Sequence, residues 1–163
     1  IKSVVKELFQ LAGPPPLEDV KEIVNDLWEC GWREGASAAI DVMVRMKKNL
    51  PESFIDFAAE LVTRHSWWET VDGLSIWILG PLLKKFPKNA SEISQKWIDS
   101  GNMWSLRSAI IFQNAYKKDT DLELLFRNVR QGLNSKEFFI RKGIGWALRT
   151  AGETFPEEII EFC

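Results

Sequence analysis

The sequence has little histidine or cysteine: His65 is the only histidine, and Cys30 and Cys163 are the only cysteines among its 163 residues. The two cysteines lack the paired spacing of a disulfide framework or a zinc site. Neither cysteine has a histidine near it in the sequence, so a Cys–His nucleophile is poorly supported. The candidates for functional side chains are therefore carboxylates, cations and aromatic rings.

Long hydrophobic runs are also missing. No apolar stretch approaches the ~20 residues that a membrane-spanning helix requires. No basic and then apolar signal segment opens the chain. We therefore expect a soluble, cytoplasmic protein with no membrane partner.

The length is suited to a single domain covering residues 1–163. A chain of this size buries roughly two-thirds of its unfolded surface when it folds. We expect this domain to be a monomer. The chain begins at Ile1 without a methionine and stops at Cys163 within a helical pattern, as expected of a domain truncated at one or both ends.

The net charge of −2 conceals a strong asymmetry. Residues 1–83 carry 8 basic and 13 acidic side chains, whereas residues 84–149 carry 13 basic and 6 acidic ones. The last fourteen residues carry 4 acidic side chains and no basic one. A basic segment in an acidic chain is typical of a surface that binds a polyanion, although solvated helix faces would give the same count.

Apolar residues recur at three- and four-residue spacing through almost the whole chain, which predicts an all-α fold. Prolines near the start of the predicted helices and glycines at their ends support the assignment. The predicted helices cover residues 3–11, 17–30, 33–48, 51–64, 67–85, 90–100, 103–117, 120–133, 136–150 and a final segment from 156.

An internal repeat underlies this pattern. Trp32, Trp68 and Trp104 are 36 residues apart, and Phe139 follows 35 residues later. One bulky aromatic residue in each two-helix unit is typical of stacked helical repeats. We predict a right-handed α-α superhelix of HEAT-like repeats, whose concave surface is lined by helices 33–48, 67–85, 103–117 and 136–150.

The pair formed by Trp68 and Asp72 is the most informative feature of the second unit. At a spacing of four residues both side chains lie on one face of a helix. No lysine or arginine occurs in the same few residues. An indole beside a carboxylate is a surface suited to holding a cation.

Equivalent positions in the neighbouring units would complete this surface. The third unit contributes Arg107, whose guanidinium is suited to a phosphate. The fourth contributes a second indole and further cations: Arg141, Lys142, Trp146 and Arg149.

Three phrases of the sequence resemble the AlkD-like family of DNA alkylation repair glycosylases, which are built from HEAT-like repeats. They are Ser66-Trp67-Trp68-Glu69-Thr70-Val71-Asp72, Asn102-Met103-Trp104-Ser105-Leu106-Arg107-Ser108-Ala109-Ile110 and Phe138-Phe139-Ile140-Arg141-Lys142-Gly143-Ile144-Gly145-Trp146-Ala147-Leu148-Arg149.

The resemblance implies hydrolysis of the N-glycosidic bond of cationic N3- or N7-alkylated purines in double-stranded DNA, without a metal or organic cofactor. By motif, Asp72 matches the catalytic aspartate, Trp68 and Trp146 match the tryptophans that flank the damaged nucleotide, and Arg107 matches a phosphate-contacting arginine. The run Gly35-Ala36-Ser37-Ala38 departs from the family, which often carries bulkier residues there.

The composition of this predicted site fits a cationic substrate. An alkylated purine is already a charged leaving group and needs no acid to protonate it, whereas a neutral sugar leaving group usually requires two carboxylates. A single carboxylate can stabilise the positive charge that develops on the deoxyribose.

Other interpretations remain open at this stage. Trp32 and Trp104 fit core packing, Trp146 fits a buried position, and Asp72 and Arg107 each fit an ion pair with a neighbouring repeat. For the whole chain, the alternatives are a non-catalytic DNA-binding module and a protein-interaction module. Of the adjacent Trp67 and Trp68, we expect one to be exposed, because both cannot face the core.

Overall fold

The computed structural model describes all residues from 1 to 163 and contains only helices and the turns between them. The eleven α-helices are α1 Lys2–Ala12, α2 Val20–Glu29, α3 Arg33–Met46, α4 Phe54–Val62, α5 Trp68–Leu74, α6 Gly80–Lys85, α7 Ala90–Asp99, α8 Met103–Ile111, α9 Leu122–Gly132, α10 Phe138–Gly152 and α11 Pro156–Phe162. The all-α prediction is confirmed.

The helices form pairs that stack in chain order: α2 with α3, α4 with α5, α7 with α8, and α9 with α10. The second members contact one another in sequence, α3 to α5, α5 to α8 and α8 to α10. Hydrogen bonds between neighbouring units join residues about one repeat apart in the sequence. Examples are Trp28 with Arg64, 36 residues apart, and Lys85 with Lys48, 37 apart. The tandem repeat read from the tryptophans is therefore present in the packing.

Two buried clusters form the core. The larger one joins the first three helix pairs, and the smaller one joins α8, α9 and α10. The closest approach of α2 and α3 explains the small residue at position 35, because a Cβ on Gly35 would lie 2.2 Å from the carbonyl oxygen of Leu27. Packing therefore accounts for the first residue of the 35–38 departure.

The predicted helix 67–85 contains an interruption that its periodicity did not reveal. A π turn, Ser75–Leu79, separates α5 from α6, and the amide of Gly80 donates to the carbonyl of Ser75 five residues earlier. Pro81 follows directly, and proline has no amide hydrogen to continue the α-helical ladder. The wider turn accommodates the proline without breaking the helix.

The predicted helix 103–117 is too long, since α8 ends at Ile111. Beyond it, the side chain of Gln113 accepts a hydrogen bond from the amide of Asp121 and donates one to the carbonyl of the same residue. These bonds bring the start of α9 back towards the end of α8. Hydrogen bonds of this kind cannot be predicted from the spacing of apolar residues.

Gly80 lies where the π turn crosses the end of α8. An added Cβ would be 2.3 Å from the carbonyl oxygen of Phe112, so Gly80→Ala forces the two backbones apart. We expect a loss of about 1–3 kcal/mol in the free energy of unfolding, the usual cost of overpacking.

Chemical denaturation measures this loss, and Gly145→Ala is the matched control. Gly145 is an exposed helical glycine with nothing within 4 Å of an added Cβ. That substitution should raise stability by up to about 1 kcal/mol. Equal stability of both variants would contradict the close crossing at Gly80.

None of the helices combines the length and the apolarity that crossing a lipid bilayer demands.

Candidate functional site

The first turn of α5 positions the indole and the carboxylate identified in the sequence. Trp67 has an extended backbone and precedes the helix. The hydroxyl of Thr70 donates to the carbonyl of Trp67 at 2.9 Å and accepts from its amide at 3.4 Å. This local capping starts the helix at Trp68 and places Asp72 one turn further on.

Asp72 forms an ion pair with Arg107 of α8. The Nε atom of Arg107 lies 2.7 Å from one carboxylate oxygen of Asp72, and a second guanidinium nitrogen lies 2.9 Å from the other. The side chains are 5% exposed for Arg107 and 13% for Asp72. A two-point contact of this geometry, away from water, fixes the direction of the carboxylate.

The third nitrogen of Arg107 donates to the backbone carbonyl of Phe139 in the first turn of α10. The same guanidinium packs against α10 so closely that a Cβ on Gly143 would lie 3.0 Å from it. Each guanidinium nitrogen is therefore engaged inside the protein. The ion-pair interpretation of Arg107 is the one the structure supports, and a phosphate contact from this side chain stays a prediction.

Glu69, the second carboxylate of the segment 66–72, is also neutralised by a residue of the neighbouring repeat. Arg33 of α3 forms an exposed ion pair with it. The sequence contains no cation close to Asp72 along the chain. Arg33 and Arg107 reach Glu69 and Asp72 from positions 36 and 35 residues away.

Both adjacent tryptophans are on the surface, with 50% of Trp67 and 42% of Trp68 exposed. As expected, the two indoles do not both face the core, and neither of them is buried. Trp67 caps the helix rather than continuing it, so the two side chains are not constrained to opposite faces of one turn.

An aromatic cluster beside the ion pair was not assigned a role from the sequence. The ring of Phe139 lies 5.9 Å from Trp67 and 5.0 Å from Trp104, between centroids. The backbone of the same phenylalanine accepts the hydrogen bond from Arg107. The repeat position of Phe139, 35 residues after Trp104, was the available signal for this contact.

Trp146 is half-buried and packs against the smaller core cluster. It lies three residues after Gly143 and seven after Phe139, so the three share one face of α10. Because Phe139 and Gly143 both contact Arg107, this face is turned towards the ion pair.

The remaining predicted cations are all exposed on α10: Arg141, Lys142 and Arg149. The ammonium group of Lys142 lies 5.6 Å from the ring centroid of Phe138. None of the three takes part in an ion pair with a carboxylate. They are therefore free to meet a polyanion.

His65 lies at the neighbouring edge of the surface, as an exposed side chain 3.0 Å from Glu29. Hydrogen bonds from His65 and Arg64 lower the pKa of the Glu29 carboxyl below its usual value. These three residues link α2 to the end of α4 and do not contact Asp72.

An apolar groove of about 900 Å³ lies elsewhere, between α1, the proline segment, α2 and α3. It does not include Asp72 or Arg107. A duplex is too broad to enter a groove between helices, so the open surface around Asp72 is the better candidate for a nucleic acid.

Comparisons with known proteins identify the family of this chain. The sequence profile described as "DNA alkylation repair enzyme" matches residues 1–163. No curated protein sequence matches significantly. A solved structure described as "Predicted DNA alkylation repair enzyme from Enterococcus faecalis" is similar, with a TM-score of 0.88 and 25% identity over 99% of this chain and 75% of that one. Because the profile covers the whole length, this chain belongs to the DNA alkylation repair enzyme family.

Proposed function

We propose that the protein is a DNA glycosylase that hydrolyses the N-glycosidic bond of cationic N3- or N7-alkylated purines in double-stranded DNA. The observation that carries this proposal is the Asp72 carboxylate, held at two points by Arg107 beside the exposed Trp68. The membership of a DNA alkylation repair family supplies the class of substrate.

Asp72 has the properties required to stabilise a developing cation. Each carboxylate oxygen has two acceptor positions, and Arg107 uses one of them on each oxygen. The remaining positions can face the deoxyribose or hold a water molecule. Because Arg107 already fixes the carboxylate, little reorganisation is needed as positive charge develops on the sugar.

One carboxylate is sufficient because of the charge on the leaving group. An N3- or N7-alkylated purine carries a positive charge, and it departs as a neutral base when the bond electrons move to its nitrogen. The sugar takes up the positive charge and is captured by water, which loses a proton. No acid has to protonate the base, in contrast to the hydrolysis of ordinary glycosides.

Trp68 and Trp146 are proposed to flank the damaged nucleotide. An indole face attracts a cation by roughly 0.5–2 kcal/mol. Trp68 is exposed one turn before Asp72, and Trp146 lies on the face of α10 that contacts Arg107. Arg141, Lys142 and Arg149 on the exposed side of α10 would contact the phosphates of the backbone.

The test is release of N7-methylguanine from a methylated duplex by the unmodified protein, measured by chromatography of the freed base. Release without added metal or organic cofactor is the expected result. Salt-sensitive DNA binding without base release would instead identify a non-catalytic DNA-binding module. Failure to bind DNA at low salt would favour a protein-interaction module.

Removal of the exposed indole tests its part in the chemistry. We expect Trp68→Ala to lower the single-turnover rate of base release by about 2- to 30-fold, which is the cation–π contribution expressed as a rate. The matched control is Trp32→Ala, because Trp32 is 75% exposed and lies 36 residues earlier at the start of α3. An equal loss of rate in both variants would rule out a specific role for Trp68.

A further inference from the structure

The helix that carries Asp72 has one exposed stripe along its whole length. Between positions 68 and 79 only five residues are not buried: Trp68, Glu69, Asp72, Gly73 and Trp77. The stripe continues through Pro81 to Lys84 and Lys85 at the end of α6. One continuous surface therefore joins the proposed catalytic residue to the far end of the helix.

The π turn keeps this stripe on one side. Over the 12 residues from Asp72 to Lys84, an uninterrupted α-helix would rotate roughly 120° beyond three full turns. The extra residue in the π turn removes roughly 100° of that rotation. The wide turn thus rotates Trp77 and Lys84 towards the side of the molecule that displays Asp72.

A shallow pocket of about 490 Å³ lies at the far end of the stripe. It is formed where three successive repeats meet: the end of α3, the π turn with α6, and the segment after α8. Trp77 is 50% exposed in it. The lining residues are Lys47, Ile76, Trp77, Pro81, Lys84, Lys85, Ala115 and Tyr116.

Three pairs of lysines lie in the segments that form this pocket, at or beyond the end of the second helix of each repeat. Lys47, Lys84 and Lys85 line the pocket itself. The pairs are Lys47 with Lys48, Lys84 with Lys85, and Lys117 with Lys118. Only one carboxylate neutralises them, since Asp119 forms an ion pair with Lys84 at 2.7 Å. We call these six residues the lysine edge.

Helix capping explains only part of the lysine edge. Lys85 donates to the carbonyls of Lys48 and Leu50, which satisfies acceptors at the end of the preceding unit. Lys47, Lys48, Lys117 and Lys118 have no carboxylate within ion-pairing distance. Three repeats thus present an excess of positive charge around an exposed indole.

The distance to Asp72 suggests what this surface binds. Lys84 lies twelve residues beyond Asp72 on the same helix, or about 18 Å at 1.5 Å per residue. This span is comparable with the width of a DNA duplex. A duplex whose damaged strand lies at Asp72 would place its other backbone near the lysine edge.

We propose that Trp77 and the lysine edge form a second DNA-binding site, which contacts the phosphates of the strand opposite the damaged nucleotide. The lysines supply the charge complementarity, and Trp77 packs against the sugars of that strand. This inference rests on the proposed function in taking duplex DNA as the ligand. It adds a contact outside Asp72, Arg107 and the cations of α10.

The experiment measures binding of an undamaged duplex to the double variant Lys47→Gln/Lys84→Gln by fluorescence anisotropy between 50 and 200 mM salt. Each lost phosphate contact lowers the slope of log affinity against log salt by about 0.9. We expect the slope to fall by roughly 1 to 2. The affinity for the duplex should fall more than the affinity for one of its single strands.

The matched control is Lys88→Gln/Lys96→Gln, which removes two exposed lysine charges from the α7 side of the molecule. Its salt slope should equal that of the unmodified protein. Trp77→Ala is a second test variant; it should weaken duplex binding several-fold while the protein stays folded, because half of the indole is exposed. A slope unchanged in the lysine variant, or equal losses on duplex and single strand, would overturn the proposal.

The binding experiment uses undamaged DNA, so its result does not depend on whether the protein releases a base. If the protein releases no base, the binding experiment still reports whether the lysine edge contacts DNA. If it does release base, the lysine variant should need more protein than the unmodified chain to reach half of its maximal single-turnover rate. A lower rate at saturating protein with an unaltered salt slope would also contradict a binding role.

Discussion

Replacement of Asp72 by asparagine should abolish most base release, with a fall in the single-turnover rate on the order of 10²–10³-fold. The substitution removes the negative charge that opposes the cation developing on the sugar. Asparagine has nearly the same shape and retains one acceptor for Arg107. Binding of an undamaged duplex should therefore remain close to that of the unmodified protein.

Asp72→Asn also leaves Arg107 without its full counter-charge, so part of any loss could come from stability. Asp41→Asn is the matched control for this effect. Asp41 is another shielded carboxylate, 10% exposed, and it pairs with Arg45 four residues further on in α3. The control should lose stability and keep its rate. Full base release by Asp72→Asn would eliminate the proposed mechanism.

Replacement of Arg107 by alanine should give the largest loss of stability among the side chains of the site. Removing one partner of a buried ion pair leaves an uncompensated charge, at a cost of about 3–5 kcal/mol. For a chain of this length we expect the melting temperature to fall by roughly 10 °C. Arg45→Ala should cost less, because Arg45 is 28% exposed and its partner can gain water.

The kinetics of an arginine variant distinguish a positioning residue from a phosphate contact. Arg107→Lys keeps the charge and cannot reproduce the two-point contact with Asp72. If Arg107 acts through Asp72, the rate at saturating protein falls while duplex affinity and its salt slope stay unchanged. If Arg107 binds phosphate instead, the affinity falls and the slope decreases by about 1.

These experiments separate two proposed roles of one surface. In the proposed reaction the Asp72 carboxylate stabilises the sugar cation, so its variants should alter rates. The exposed lysines and arginines are proposed to contact the DNA backbone, so their variants should alter affinity and salt dependence. Lys84 lies about 18 Å from Asp72 along one helix, so a duplex can engage both residues together.

Much of the helical framework could be predicted from the spacing of apolar residues. The boundaries of α1, α2, α7 and α9 lie within three residues of those predicted. The glycines at 31 and 101 have φ values of +80° and +67°, as expected for helix ends. Such features are local, because each depends on residues within one or two turns.

The repeat was also visible in the sequence, through aromatic residues at intervals of 35 or 36 positions. The same interval separates the partners of the long-range hydrogen bonds, including Arg33 with Glu69 and Tyr116 with Gly80. Burial of Tyr116 raises the pKa of its phenol above the usual value, so its hydroxyl donates to that carbonyl throughout the physiological pH range. The spacing in the sequence is also the spacing of contacting residues, because each helical unit packs its apolar face against the next unit.

The sequence by itself determined that this protein is a stack of paired helices, and that Trp68 and Asp72 begin one of them on a shared face. Only the tertiary structure decided that Arg107 is buried against Asp72, that Trp67 and Trp68 are both exposed, and that a π turn brings Trp77 onto the same side. The physical reason is the range of the interactions. Helix periodicity depends on neighbours along the chain, whereas the partner of a carboxylate and the course of a helix past proline depend on the repeats packed against them.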